Sequence, residues 1–144
     1  MLVLASGSIA RHKLLLNAAI DHKILKSGVD ESIYNINEPC KLAQLLAKAK
    51  ASSVYNKITK PNNNGMSDKF TAVLGCDSLL EFKGKIFGKP KNKEEAINRW
   101  LEMSSQTAIL HTGHHLIFPQ TKQYNKKNLC EVISTKIQFE TVSL

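Results

Sequence analysis

Two acidic residues stand where a hydrolytic site could use a carboxylate. Asp77 follows the apolar stretch of residues 70–74 within the sequence Gly-Cys-Asp-Ser, and Glu31 ends a Val-Asp-Glu sequence before a polar connection. A carboxylate that follows a buried strand either caps the next turn or serves a ligand, as a metal ligand or as a general base for water. Both interpretations of Asp77 stay open from the local pattern, whereas Glu31 by itself is interpreted as a solvated loop acid.

Two short sequences have the character of a phosphate-binding site. The loop of Ser6, Gly7 and Ser8 precedes a helix, where backbone N–H groups and the partial positive charge of the helix N-terminus favour an anion. Arg11, in the first turn, would add paired donors to phosphate oxygens. Lys89 lies in a Phe-Gly-Lys-Pro sequence that allows close backbone approach. An ordinary surface turn is the alternative interpretation of both sequences.

Several familiar sites are excluded. The spacing of residues 84–89 is one residue short of a P-loop, so a Walker-type ATPase is rejected. Neighbouring strand residues point to opposite faces, so His114 and His115 are not expected to share a metal cluster. The three cysteines are far apart and form no CxxC pair, which argues against a disulfide framework or a zinc site. Cys76 is interpreted as a buried packing residue.

Three helices are predicted from apolar residues at helical spacing. Ser8 caps the first helix, Pro39 opens the second, which runs to about Tyr55, and Asn92 begins the third through a capping box with Glu95. The residues expected to face the core are Leu14, Leu15 and Ala18 in the first helix, Leu42, Leu45, Leu46 and Ala49 in the second, and Ile97, Trp100 and Leu101 in the third.

Short apolar stretches predict the strands that connect these helices. They cover residues 2–5, a segment around Ile24 and Leu25, residues 70–74, a hairpin over residues 79–87 that turns at Gly84, residues 106–118 with a break near Gly113, and residues 132–142. Residues 59–69 and 120–128 are predicted loops. Open α/β sheets place ligands at the carboxyl ends of their strands, so Asp77 and Ser78 are expected at such an end.

The size and charge of the chain limit its class. Its 144 residues contain no repeats and predict one domain with one core. A formal net charge of +8 favours an anionic partner, either a nucleotide, a nucleic acid or an anionic lipid surface. No apolar run approaches the roughly 20 residues of a membrane-spanning helix, and the apolar start is too short for a signal peptide. A cytoplasmic protein that does not associate with membranes is expected.

Six short motifs follow one another in a specific order along nearly the whole chain. They are L-A-S-G-S-x-x-R, V-D-E, L-A-x-x-K-A, G-C-D-S, F-G-K-P, and M-S-S-x-T followed by H-T-G. In this order they resemble the Maf family of nucleotide pyrophosphatases. The resemblance implies an α/β fold in which helices flank a mixed twisted sheet, with two lobes and a central cleft, similar to the inosine triphosphatases.

The family resemblance also implies an activity. The expected reaction is hydrolysis of a nucleoside triphosphate, canonical or modified, to the monophosphate and pyrophosphate, which serves as house-cleaning of the nucleotide pool. The expected cofactor is a divalent metal cation, Mg²⁺ or Mn²⁺. Members of the family often dimerise, so a homodimer is a further expectation.

The motifs assign roles to individual residues by resemblance. Asp77 matches the catalytic aspartate that activates water and contacts the metal, and Glu31 matches an acid that helps to hold it. Ser78, beside Asp77, is a candidate contact to the substrate. The positions that bind the substrate's phosphates correspond to Ser6, Ser8, Arg11, Lys50 and Lys89. Helical geometry does not separate Lys50 from Lys48, so Lys48 stays as the alternative.

The chain departs from the family pattern at both ends. Ser8, Ile9, Ala10 and Arg11 stand where the family usually has Ser-Pro-Arg-Arg. Members typically continue into a G-E-P-x-x-K-A-G-x-Y-G-I-Q-G segment, so a single Maf-like domain truncated after Leu144 is expected. The alternative function is a non-catalytic relative that binds a nucleotide or a nucleic acid. The aromatic content of 6% favours the nucleotide, and no specific nucleic acid is expected.

Overall fold

The computed structural model describes residues 1–60, 70–120 and 126–142. Most of the predicted loop at residues 59–69, and residues 121–125 of the predicted loop at 120–128, lie outside the described residues. Helices flank a six-stranded sheet. The strands are β1 (Leu2–Leu4), β2 (His22–Ile24), β3 (Ala72–Phe82), β4 (Lys85–Phe87), β5 (Thr107–Ile117) and β6 (Leu129–Gln138). The helices are α1 (Ile9–Asn17), α2 (Pro39–Ile58) and α3 (Lys93–Met103).

The sheet is mixed, and β3 is at its centre. The strand order is β2-β1-β3-β5-β6, with β4 paired to β3 outside this path. Strand β1 runs parallel to β2 and β3, whereas β4 and β5 run antiparallel to β3 and β6 runs antiparallel to β5. The predicted hairpin is confirmed, because Lys83 and Gly84 both adopt positive φ between β3 and β4.

One edge of β3 is paired at its two ends and open in its middle. Residues 72–74 pair with β1 and residues 80–82 pair with β4, while β5 pairs along the opposite edge. Among the described strands, none pairs with residues 75–79 on the edge shared by β1 and β4. The loop after β1 enters this gap from one end, and the chain that leaves β4 approaches it from the other.

Helix α2 packs closely across β3 and β5 because the contact surfaces carry small residues. A Cβ atom built on Gly75 would lie 2.1 Å from the carbonyl oxygen of Ala47, and one on Gly113 would lie 2.3 Å from that of Ala43. Ala43, Ala47 and Ala51 recur every four residues and are fully buried. The helix backbone therefore rests almost directly on the sheet backbone.

Two separate clusters of buried apolar side chains hold the strands. The first includes Val3, Val54 and Val73, between α2 and the β1 end of β3. The second includes Phe82 and Met103, at the far end of β3 and beside α3. The predicted class, an α/β fold with a mixed sheet flanked by helices, is confirmed. In the described part of the chain, no helix is long and apolar enough to cross a membrane.

The predicted apolar faces of all three helices differ from the structure. No residue of α1 is buried, and Leu14 is 67% exposed, because the first turn of α1 is attached through polar contacts rather than through apolar packing. Helix α3 buries Met103, whereas Trp100 is 54% exposed and stacks edge-on against Phe139. The apolar face of α2 is rotated from its predicted position, since its buried residues are Ala43, Leu46, Ala47, Ala51, Val54 and Ile58.

Two predicted strand features are also wrong. Strand β3 does not end before Gly75 but runs on to Phe82, because β5 pairs with it along residues 73–81. Asp77 therefore lies inside a strand, opposite Gly113, and not at a carboxyl end. Strand β5 has no break at Gly113, whose lack of a side chain admits α2 instead.

The close contact between α2 and the sheet predicts a large effect of a single methyl group. Gly75→Ala should lower the free energy of unfolding by about 3 kcal/mol, because backbone atoms of α2 must move away from β3. The matched control is Gly88→Ala, where an added Cβ has no atom within 4 Å and the effect should stay within about 0.5 kcal/mol. Urea unfolding of both variants would test this, and equal midpoints would contradict the packing argument.

Candidate functional site

Three charged side chains meet beneath α2, next to the open edge of β3. The ammonium group of Lys50 contacts Oδ1 of Asp77 and lies 2.8 Å from Oε1 of Glu31. The side chain of Asp77 is 7% exposed and that of Lys50 is 13% exposed, whereas that of Glu31 is 53% exposed. The cluster is therefore buried at Asp77 and open to solvent at Glu31.

Local structure brings each member of this cluster into place. Gly75 lets α2 approach β3, so Lys50 from the helix reaches Asp77 two residues along the same face of the strand. Glu31 begins a single 3-10 turn, Glu31–Ile33. Asp30 caps that turn by accepting from the backbone N–H of Ser32 at 3.0 Å and from its hydroxyl at 2.6 Å. The hydroxyl and backbone donors of Ser32 lower the pKa of Asp30.

A second group of polar contacts joins the loop after β1 to β3. Ser8 caps α1 by accepting from the backbone N–H of Arg11 at 3.4 Å. The guanidinium of Arg11 donates to the hydroxyls of Ser6, at 3.1 Å, and of Ser78, at 3.0 Å. Ser78 in turn lies 2.9 Å from the hydroxyl of Thr112, its cross-strand partner on β5. Lys50 contacts Asp77 from α2, and the charge of Arg11 acts on the same carboxylate from α1.

Burial and charge act in opposite directions on the pKa of Asp77. Burial raises it, the contact with Lys50 lowers it, and the nearby charge of Glu31 raises it again. The outcome is a pKa of Asp77 above the ordinary aspartate value of 3.8. Burial lowers the pKa of Lys50, but its bonds to Asp77 and Glu31 outweigh this and raise it overall. Two carboxylates therefore hold Lys50 in its charged form. For Asp77, the effect of burial on the pKa outweighs the attraction of Lys50.

One oxygen of Asp77 has no partner. Oδ2 is buried, and no hydrogen-bond donor of the described residues reaches it. A buried acceptor without a donor is costly, so it calls for an explanation such as a ligand, an ion or a catalytic role. It also leaves the carboxylate free to accept a proton or to contact a cation.

The structure brings the predicted site residues, except Lys89, into two groups. Glu31, Lys50 and Asp77 form the charged cluster, and Ser6, Ser8, Arg11 and Ser78 form the polar contacts beside it. Lys48, the alternative to Lys50, is exposed and acts on the pKa of His115, which burial lowers and Lys48 lowers further. Lys89 is exposed, two residues beyond the end of β4, on the chain that approaches the open edge.

Two residues of this region had no assigned role in the sequence. Thr112 belongs to the H-T-G motif, and only the register of β3 against β5 places its hydroxyl on Ser78. The side chain of Lys26 lies along Gly7, where an added Cβ would be 3.2 Å from its Cε atom. The sequence did not indicate that Lys26 lies beside Gly7, because this proximity depends on the pairing of β2 with β1 in the folded sheet.

Comparisons with known proteins agree with this architecture. A family model described as "Maf-like protein" matches residues 1–144. A nucleoside triphosphate pyrophosphatase of Prochlorococcus marinus (strain NATL1A) is 46% identical over 149 residues, with 99% of this chain and 70% of that protein covered. One from Synechococcus sp. (strain CC9311) is 44% identical over 147 residues, covering 99% and 72%.

A solved structure shows the same fold. The Ham1 protein of Staphylococcus aureus superposes with a TM-score of 0.55, covering 95% of this chain and 70% of that one. The sequence identity is 14%, so this likeness concerns the fold alone.

The charged cluster predicts a strong effect of removing its cation. Lys50→Met leaves the buried carboxylate of Asp77 opposite Glu31 without compensation, so the free energy of unfolding at pH 7 should fall by about 3 kcal/mol. Lys48→Met, two residues away on the exposed face of α2, should change it by less than about 0.5 kcal/mol. Denaturant titrations of both variants provide the measurement. Equal losses would mean that Lys50 does not stabilise the cluster.

The raised pKa of Asp77 predicts that replacing this residue, unlike replacing Lys50, does not lower the free energy of unfolding at pH 7. The carboxyl group of Asp77 binds a proton more tightly in the folded than in the unfolded state. The stability that this group contributes is therefore greatest below pH 3.8, and it is lost as the pH rises through the pKa of the folded state. Asp77→Asn removes this ionisation. The variant should be at least as stable as the wild type at pH 7, with the difference shrinking below pH 3.8. Thermal unfolding across pH tests this, and a clearly less stable variant at pH 7 would refute it.

Proposed function

The chain belongs to the Maf family, and on that premise we propose that it hydrolyses nucleoside triphosphates to the monophosphate and pyrophosphate at the site around Asp77. The bond that breaks joins the α-phosphorus to the oxygen that bridges it to the β-phosphorus. The assigned groups address the phosphates rather than the base, so the proposal covers canonical and modified nucleotides. Removal of surplus or damaged nucleotides from the pool is the corresponding role.

The single observation that carries the proposal is the unpartnered Oδ2 of Asp77, whose carboxylate contacts Lys50 and also interacts with the charge of Arg11. Arg11 donates to serine hydroxyls, and within the described residues no carboxylate pairs with it. Its positive charge is therefore available to an anionic ligand. A proton acceptor next to fixed cations is what hydrolysis of a phosphoanhydride requires, because catalysis of this reaction depends on positioning and on neutralisation of charge.

The phosphates have a defined place in this proposal. Ser6 and Ser8 belong to the loop at the N-terminus of α1, where backbone N–H groups and the helix dipole favour an anion. Arg11 supplies paired donors from the first turn of the same helix, and Lys50 supplies a charge from α2. Lys89 approaches from β4 and would reach phosphate oxygens that extend into solvent.

A divalent cation, Mg²⁺ or Mn²⁺, is part of the proposal because the available donors suit a hard ion. Glu31 and Asp77 offer carboxylate oxygens, which are the donors that such an ion prefers. Among the described residues, no three His, Cys, Asp or Glu side chains form a complete site, so phosphate and water would supply the remaining ligands. Such an ion neutralises phosphate charge and makes a bound water more acidic.

The protein's own residues account for the proton transfer. Water attacks the α-phosphorus, its proton passes to Oδ2 of Asp77, and pyrophosphate leaves with the bridging oxygen. The raised pKa of Asp77 makes this carboxylate a better proton acceptor than an exposed aspartate. Lys50 keeps the carboxylate oriented through Oδ1. Arg11 and the serine hydroxyls hold the phosphates while the bond breaks.

Hydrolysis in ¹⁸O-labelled water tests both the activity and the bond. The purified protein, incubated with a panel of nucleoside triphosphates and Mg²⁺, should release pyrophosphate and place the label on the monophosphate. Asp77→Asn should lower the rate by about 1,000-fold, because it removes the proton acceptor. Label found in pyrophosphate or in free phosphate would refute the assigned bond.

The matched control is Glu81→Gln, which removes a carboxylate from the same face of the same strand, four residues from Asp77. This variant should keep the wild-type rate within about twofold, since Glu81 contacts His111 and not the charged cluster. Nucleotide binding without release of pyrophosphate by the wild type would instead support a non-catalytic binding protein. Equal rates for Asp77→Asn and the wild type would remove Asp77 from the mechanism.

A further inference from the structure

We infer that Cys40 is an activated nucleophilic thiol that reacts with small electrophiles such as peroxides, in a site formed with His111 and Glu81. These three residues come from α2, β5 and β3, and none of them belongs to the charged cluster around Asp77. The site is therefore independent of the proposed nucleotide hydrolysis. It gives the thiol a chemical role beyond packing.

The contacts form a relay from thiol to imidazole to carboxylate. Sγ of Cys40 lies 3.2 Å from Nδ1 of His111, and Nε2 of the same ring lies 2.8 Å from Oε2 of Glu81. The ring of His111 is fixed in place because the residue is only 5% exposed. Ser134 completes the group, with its hydroxyl 2.8 Å from Nδ1 and 3.8 Å from the sulfur.

The carboxylate decides which ring nitrogen carries the proton. An ionised Glu81 can only accept a hydrogen bond, so Nε2 of His111 must donate to it. In the neutral ring, Nδ1 then carries the lone pair, which faces the thiol and the hydroxyl of Ser134. His111 is thus oriented as a base for the thiol proton, and the resulting imidazolium would be stabilised by Glu81.

The end of α2 favours the thiolate as well. Cys40 is the second residue of the helix, after Pro39, and Glu38 at the N-cap makes no side-chain hydrogen bond to the first turn. The partial positive charge at the N-terminus of the helix favours a negative charge on the sulfur. The other charged groups on the helix here are Glu38 and Lys41, which lie 3.9 Å apart and offset each other.

The remaining cysteines lack this combination. Cys76 is 3% exposed, and burial raises the pKa of its thiol, so it has neither access nor an activated form. Cys130 is exposed like Cys40, but its sulfur accepts from the side-chain amide of Gln44 at 3.1 Å, which is no base. Cys130, on β6, therefore serves as an exposed reference cysteine that has no base beside it.

Reaction with a peroxide would proceed in one balanced step. His111 takes the thiol proton, and the thiolate sulfur attacks one peroxide oxygen, so an S–O bond forms as the O–O bond breaks. The departing oxygen takes the proton from His111 and leaves as water when the peroxide is hydrogen peroxide. The cysteine is oxidised to a sulfenic acid and the peroxide is reduced.

Alkylation rates measured for each cysteine by mass spectrometry test the inference. At pH 7, iodoacetamide should modify Cys40 about tenfold faster than Cys130 in the folded protein, and at equal rates in denaturant. His111→Gln should bring the rate of Cys40 to within about twofold of that of Cys130. Glu81→Gln should slow Cys40 about threefold or more, since the imidazolium loses its counter-charge. With hydrogen peroxide, a sulfenic-acid-specific dione should label Cys40 before Cys130.

Structural damage and loss of the base differ in their effect on Cys76. A loosened protein exposes this buried thiol to iodoacetamide, whereas removal of the base alone slows Cys40 and leaves Cys76 protected. If His111→Gln does not fold, Glu81→Gln and the ratio between folded and denatured wild type still decide the question. Equal rates for Cys40 and Cys130 in the wild type, or a Cys40 rate unchanged by both substitutions, would overturn the inference.

Discussion

Helix α2 can lie against β3 and β5 only because glycine stands at both points of contact. Gly75 and Gly113 face the alanines of the helix at distances that no side chain on the sheet would allow. This contact sets the height of Lys50 above Asp77 and that of Cys40 above His111. Both side-chain clusters are thus consequences of one close approach between a helix and a sheet.

The charged cluster is maintained at a cost that the rest of the fold must offset. A buried carboxylate with a raised pKa and an oxygen without a partner both weaken the folded state. The two apolar clusters lie at opposite ends of β3, so the strand is held on each side of the costly residue. Such local unfavourable chemistry is typical of functional sites, where binding or catalysis needs groups that stability alone would not select.

Much of the site could be predicted from the sequence because the motifs record residues that the fold brings together. Asp77, Glu31 and Arg11 were identified by motif, and the structure groups them with Lys50. Local pattern could not separate Lys50 from Lys48, since the choice depends on how α2 rotates on the sheet. That rotation follows from small residues, Ala43 and Ala47, which carry little weight in an apolar pattern dominated by leucine.

The errors have the same physical origin, which is tertiary context. A polar run such as Cys76, Asp77 and Ser78 has the composition of a turn, yet pairing with β5 keeps it extended. The leucines of α1 have helical spacing, but no layer in the described part of the chain covers them, so the spacing predicted the helix and not its burial. The elements that pair or pack against a segment decide whether a polar run forms a turn and whether an apolar helix face is buried.

The interruption in the pairing of β3 also affects how the protein associates with other polypeptide chains. An unpaired strand edge invites other chains to add a strand of their own, which is a common start of aggregation. Here the interruption spans residues 75–79 and is closed at both ends by β1 and β4. An incoming strand longer than this interval would collide with those neighbours. Among the described residues, the fold therefore leaves this part of the β3 edge without a strand partner while hindering another polypeptide from pairing with it.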